Sequence, residues 1–114
     1  MGLLKKVRNR SIGIRRDRGE DIDHLCDWAA RRTGVEAFVE PETMLTQLTV
    51  LLVDAEGAWT RRRVSGPGSA RKLGRDLRMP VYDVLKVGYP RRMRDHDARQ
   101  RILRERARRR DLEN

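Results

Sequence analysis

Leu48-Thr49-Val50-Leu51-Leu52-Val53, Asp54-Ala55-Glu56-Gly57 and Trp59-Thr60-Arg61-Arg62-Arg63-Val64 together decide how this chain folds. The first run is β-branched, leucine-rich and of strand length, which predicts a strand buried on both faces. The four residues after it carry turn chemistry and bring back a partner strand as a hairpin. Alternation along that partner sends Arg61 and Arg63 to one face of the sheet and Arg62 to the other, so at least one face meets water. Gly66-Pro67-Gly68-Ser69 then opens a helix. Ser69 is the expected N-cap, and Gly68 and Ser69 mark a helix start whose unpaired amides favour a phosphate or carboxylate.

Upstream of the hairpin, Ile22, Leu25, Cys26 and Ala29 recur at helical spacing between acids in the first turn and Arg31 and Arg32 at the end, with Gly34 as the stop. A helix over about 20–33 follows. Val35-Glu36-Ala37-Phe38-Val39-Glu40 alternates and ends at Pro41, the pattern of a half-buried strand. Downstream, Ala70, Leu73 and Leu77 share one face of a helix over 69–78, closed by Pro80. Residues 81–87 read as a fourth strand, and Gly88-Tyr89-Pro90 turns into a final helix over about 91–110. Its only apolar stripe, Ala98, Ile102, Leu103 and Ala107, is too narrow to bury much. The expected fold is α+β in the order α-β-β-β-α-β-α: a mainly antiparallel four-stranded sheet with helices on one face and an arginine-rich C-terminal helix projecting.

The chain has 114 residues, enough for one small core with two Trp, two Tyr and one Phe. Its net charge of +10 is unevenly spread. Residues 1–18 hold seven Lys or Arg and one acid, residues 91–114 hold ten Arg and five acids, and residues 19–90 are close to neutral. Three segments result: a basic arm expected to be disordered over 1–18, a compact domain over 19–90, and an arginine-rich helix over 91–114. Cationic ends on a neutral body point to a polyanion, nucleic acid before an anionic membrane surface. Leu3, Leu4, Val7, Ile12 and Ile14 in the arm are interleaved with basic residues, but no apolar run reaches the length of a membrane span. A single cysteine, Cys26, excludes an internal disulfide, so a reducing cytoplasm is the expected compartment.

Two resemblances bear on function. Helix, three strands and helix over 20–78 follow the order of a double-stranded-RNA-binding domain. Arg71-Lys72-Leu73-Gly74-Arg75 after Gly66-Pro67-Gly68-Ser69 resembles the basic opening of that family's second helix. The resemblance implies that Arg71, Lys72 and Arg75 reach phosphates, in a family that reads A-form shape more than sequence. Pro41-Glu42-Thr43-Met44 departs from the family's loop between the first two strands, which carries a glycine, a proline and a histidine. The family's second helix is also longer, and the fourth strand and last helix have no counterpart in it. Separately, Trp28-Ala29-Ala30, residues 34–41, Trp59-Thr60-Arg61-Arg62-Arg63 and residues 88–95 resemble a family of small actinobacterial proteins without an established role, some labelled oxidoreductase. That likeness implies lineage and a compact fold, and no mechanism.

Other chemistry finds little support in the residues. His24 and Cys26 are two apart and face different directions on a helix, His96 is distant, and there is no Cys-x-x-Cys pair, so no metal site is expected. Cys26 on the apolar stripe reads as a buried thiol. Asp95-His96-Asp97 offers a way to orient a histidine with no nucleophile beside it. Gly66-Pro67-Gly68-Ser69-Ala70-Arg71, with Asp83 in the next strand, is a partial dinucleotide pattern lacking its third glycine. No cofactor is expected. The basic constellation carries more weight. Arg61, Arg62, Arg63, Arg71, Lys72 and Arg75 are close in sequence, Arg91, Arg92 and Arg94 open the last helix, and arginine outnumbers lysine 23 to 4. Guanidinium groups make bidentate phosphate contacts. The expectation is a non-enzymatic nucleic-acid-binding module, for RNA before DNA or for a ribonucleoprotein. The alternatives are an adaptor whose last helix docks on an acidic protein partner through Ile102 and Leu103, and a small nucleotide-binding oxidoreductase-like protein.

Overall fold

The computed structural model describes residues 19–114, so the basic arm over 1–18 lies outside the described residues. The elements in order are α1 (Gly19–Ala30), β1 (Glu36–Glu40), β2 (Thr49–Val53), β3 (Trp59–Arg63), α2 (Pro67–Leu77), β4 (Val81–Asp83), a single turn α3 (Val84–Val87) and α4 (Arg91–Glu113). The α+β class and the arginine-rich C-terminal helix are as expected. The sheet has the order β3-β2-β1-β4. β1, β2 and β3 form the antiparallel meander, with Phe38 opposite Leu51 and Leu51 opposite Arg61. β4 adds to the free edge of β1 in parallel, Phe38 opposite Tyr82, so the sheet is mixed. The helical crossover carries the chain from one edge of the sheet to the other, which leaves β4 running in the same direction as β1.

β2 is buried from Val50 to Val53, as a strand covered on both sides must be. On one face, Ala37, Val50 and Leu52 pack with Leu25 of α1 and Ala70 and Leu73 of α2. On the other, Phe38, Leu51 and Val53 pack with Met93 of α4, flanked by Tyr82. Helices therefore cover both faces, not one. The narrow stripe at Ala98–Ala107 predicts a helix held loosely or not at all. The helix is held earlier, where Met93 is its one buried side chain, and from Arg101 onward every residue of α4 is exposed. That distal part projects about 20 Å at 1.5 Å per residue.

Two local expectations are corrected. α2 begins at Pro67, with Gly66 as N-cap and proline in the first turn, so Ser69 lies inside the helix and its hydroxyl pairs with that of Ser65. Proline suits that position because its missing N–H would have no helical partner there. The fourth strand stops at Asp83, whose carboxylate accepts from Leu85 N at 2.9 Å and caps a helical turn closed by Gly88 N to Val84 O. Val84 is buried by that turn, while Leu85 and Val87 are left exposed.

The hairpin turn joins the layers. Asp54 is buried, and its Oδ1 accepts from Glu56 N (2.9 Å) and Ala58 N (3.0 Å). Its Oδ2 pairs with Arg32 just beyond α1 at 3.2 Å, and its carbonyl accepts from Arg92 Nε of α4 at 2.8 Å. Gly57 completes the turn at φ 94°, and a Cβ there would stand 2.0 Å from the Arg92 carbonyl oxygen. Gly57→Ala therefore carries both a left-handed strain and a backbone clash. It is expected to cost about 3 kcal/mol in urea denaturation, the sum of two effects of ordinary size. Gly66→Ala, at an extended φ with open space around it, is the control and should change stability little.

Candidate nucleic-acid interface

Strand register settles where the hairpin arginines go. Arg61 and Arg63 lie on the α4 face with Leu51 and Thr49, while Arg62 lies with Val50 on the face of α1 and α2. Arg61 is engaged by Glu40 through Nε at 2.6 Å and Nη2 at 2.9 Å, and its guanidinium lies 5.2 Å from the centre of the Trp59 ring. Thr49 Oγ1 also donates to Glu40 at 2.7 Å, as does the Tyr89 hydroxyl. Burial opposes ionisation of Glu40, but the hydrogen bonds from Arg61, Tyr89 and Thr49 and the Arg61 charge hold its carboxyl below the usual 4.5. The same bond raises the Tyr89 phenol above 10. Arg62 Nε stands 3.6 Å from Asp21 of α1 and donates from Nη1 to the Arg61 carbonyl at 2.8 Å. Only Arg63 of the three is exposed without an ion pair among the described residues.

On α2, Arg71 and Arg75 are exposed and Lys72 is half-buried, and none is ion-paired among the described residues. The small residue between them, Gly74, has a packing reason. A Cβ there would stand 2.2 Å from Val81 Cγ2, so α2 approaches β4 closely only because position 74 has no side chain. Arg71, Arg75 and Arg78 line a groove floored by Gly74, Met79 and Val81. Gly68 and Ser69 lie in the first turn of α2, beside these cations.

The α4 arginines divide in the same way. Arg92 bonds Glu36 Oε1 from Nη2 at 2.7 Å as well as the turn carbonyls of Asp54 and Val53, and it holds the helix to the sheet. Asp97 accepts from the Trp59 indole at 2.8 Å, which gives one acid of the Asp95-His96-Asp97 cluster a structural task. Arg99 reaches the Glu56 carbonyl at 3.3 Å. Arg91 and Arg94 are exposed and unpaired among the described residues, as is the series from Arg101 to Arg110. The structure thus brings Arg71, Lys72 and Arg75 together and puts Arg61 on the opposite sheet face, with α4 beneath it.

β3 and β4 stand at opposite edges of the sheet, which separates Asp83 from the strand preceding the glycine-containing loop. Asp83 is used to cap α3. Among the described residues no three His, Cys, Asp or Glu side chains are grouped as metal ligands, and no helix is long and apolar enough to cross a membrane. No protein-family model, curated protein or solved structure matches this chain.

His24 makes a tie between elements that no sequence pattern announces. Its Nε2 lies 2.7 Å from Thr60 Oγ1 and links α1 to β3. Burial, then the Arg62 charge, holds its imidazole below the ordinary 6.5. A lowered folded value means that the unfolded chain binds the proton more readily, so this stability is complete above pH 6.5 and declines as pH falls below it. Glu40 behaves the same way below 4.5. Chemical denaturation across pH should therefore show two declines toward acid, the first absent in His24→Gln and the second reduced in Glu40→Gln.

Proposed function

We propose that this protein is a cytoplasmic, non-enzymatic nucleic-acid-binding module that takes RNA before DNA. Phosphates are contacted by Arg71 and Lys72 in the middle of α2 and Arg75 in its last turn, with Arg63 nearby in the chain, and by Arg91, Arg94 and the projecting part of α4. The reading rests on one observation. Cations that touch the body have carboxylate or carbonyl partners, whereas those on the outer side of α2 and along distal α4 have none among the described residues. A guanidinium without a protein partner is free to take a phosphate, and such contacts release counterions. The α-β-β-β-α order with a basic α2, which resembles that of double-stranded-RNA-binding domains, is what favours RNA, although the basic residues stand one turn and more into the helix and do not open it. Arg61, Arg62 and Arg92 belong to the scaffold in this reading, although their residue type alone gave them the same promise as the others.

A second reading draws on Ile102 and Leu103, adjacent and about half exposed on the projecting helix, as anchors for an acidic protein partner. A salt titration of affinity for duplex RNA, single-stranded RNA and duplex DNA separates the two. The full chain is expected to bind RNA with a steep salt slope. Changing Arg71, Lys72 and Arg75 together to Ala should lower that slope by about two to three, near one for each phosphate no longer neutralised. Arg61→Ala should instead lower stability and leave the slope unchanged. Absence of binding to all three nucleic acids at low salt overturns the proposal in favour of the protein partner.

A further inference from the structure

We infer that the groove between α2 and β4 seats an unpaired nucleotide, with its base against Met79 and Val81 and its phosphate among Arg71, Arg75 and Arg78. This rests on the nucleic-acid reading above and adds which structural form of nucleic acid the α2 surface prefers.

Three observations carry it. The groove has an apolar floor and a cationic rim, and no carboxylate among the described residues lines it. A bare anion is served by a floor of hydrogen-bond donors. An apolar floor beneath three guanidiniums suits an anion with a flat apolar part, because a base rests on the floor and stacks on a guanidinium plane while the phosphate takes the charges. A base already paired inside a duplex cannot enter, so the occupant is a nucleotide in a single-stranded extension, a bulge or a free mononucleotide.

Second, the rim residue Arg78 sits at φ 54°, ψ 47°, the one non-glycine residue with positive φ among the described residues. Capping does not require arginine there. The bonds that end α2, from Arg78 N to Arg75 O at 3.2 Å and from Met79 N to Gly74 O at 3.0 Å, are made by backbone groups, and glycine would make them with less strain. The arginine side chain is exposed and has no ion pair among the described residues, so what it adds is a third positive charge at the groove. Third, the floor is held in place: Val81 is pinned against Gly74 by the close approach of α2, and Met79 and Val81 both pack on the main core while remaining partly open. Arg71 and Arg75 are one helical turn apart, and Arg78 continues the same side of the helix.

The test compares three probes on the full chain: a blunt RNA duplex, the same duplex with a short single-stranded extension, and uridine 5′-monophosphate as competitor. The extended duplex is expected to bind tighter than the blunt one by about fivefold to a hundredfold, the range of one base stacking on a protein surface. Arg78→Gly should shrink that ratio toward one while thermal stability holds or rises, since it relieves the left-handed strain. Met79→Glu, which puts a carboxylate over the floor, should shrink it too. Competition by the mononucleotide for the preference would show that a free nucleotide suffices. A preference that resists competition assigns the seat to a nucleotide within a strand. Equal affinity for blunt and extended duplexes, or a preference untouched by Arg78→Gly, overturns the groove assignment and leaves the phosphate-binding reading standing. Failure to bind either duplex removes both.

Discussion

Asp54 is the residue on which the assembled structure depends. Its side chain closes the β2–β3 turn, its second oxygen holds Arg32 beyond α1, and its backbone carbonyl receives Arg92 of α4. A carboxylate this buried is tolerated because each oxygen has donors, and with a donor set drawn from three parts of the chain it specifies how those parts meet. Around it, Ala55 N donates to the Thr33 carbonyl at 3.0 Å, and Gly34 at φ 64° lies so close to Ala55 that a Cβ would come within 2.9 Å. The end of α1 and the start of α4 are thus fitted to one four-residue turn. The sheet supplies the apolar area, and this turn supplies the registration.

The second constraint is that β2 is apolar on both sides. A strand with Val50, Leu51, Leu52 and Val53 all buried needs cover above and below. α1 and α2 supply one layer, and a single buried side chain of α4, Met93, supplies most of the other. So small an apolar footing would hold a long charged helix poorly by itself. Arg92 to Glu36, Trp59 to Asp97 and Arg99 to Glu56 fasten its first three turns at the rim. Beyond them, from Arg101 onward, every residue of the helix is exposed among the described residues.

This separation sorts the basic residues. Arginine serves two purposes that look alike in a sequence, because the same planar fork that takes a phosphate also takes a carboxylate or two carbonyls. Arg61 meets Glu40, and Arg92 meets Glu36. Alternation along β1 puts both acids on the face that α4 covers. Arg71, Lys72 and Arg75 have no ion pair among the described residues, and the groove that Arg71 and Arg75 share with Arg78 and Met79 exists only because Gly74 lets β4 come close.

Much of the fold is legible from the residues. The hairpin at Asp54–Gly57, the alternation of Arg61, Arg62 and Arg63, the helix before Gly34 and the fully buried β2 all follow from short-range pattern, since each depends on neighbours within one turn or one strand. The start of α2 and the end of β4 depart from that pattern by two to four residues because capping is the competing signal: proline in the first turn outweighs Ser69, and Asp83 converts an alternating run into a helical turn. Local sequence thus carried the α+β class, the element order apart from the helical turn α3, the central strand and the concentration of charge at the C-terminal end. Only the tertiary structure decided that α4 covers the second sheet face, that β4 joins β1 in parallel, and which arginines are spent on carboxylates. Those outcomes depend on pairs distant in the chain, such as Arg92 with Glu36 and Phe38 with Tyr82, and no local periodicity encodes a distance across the fold.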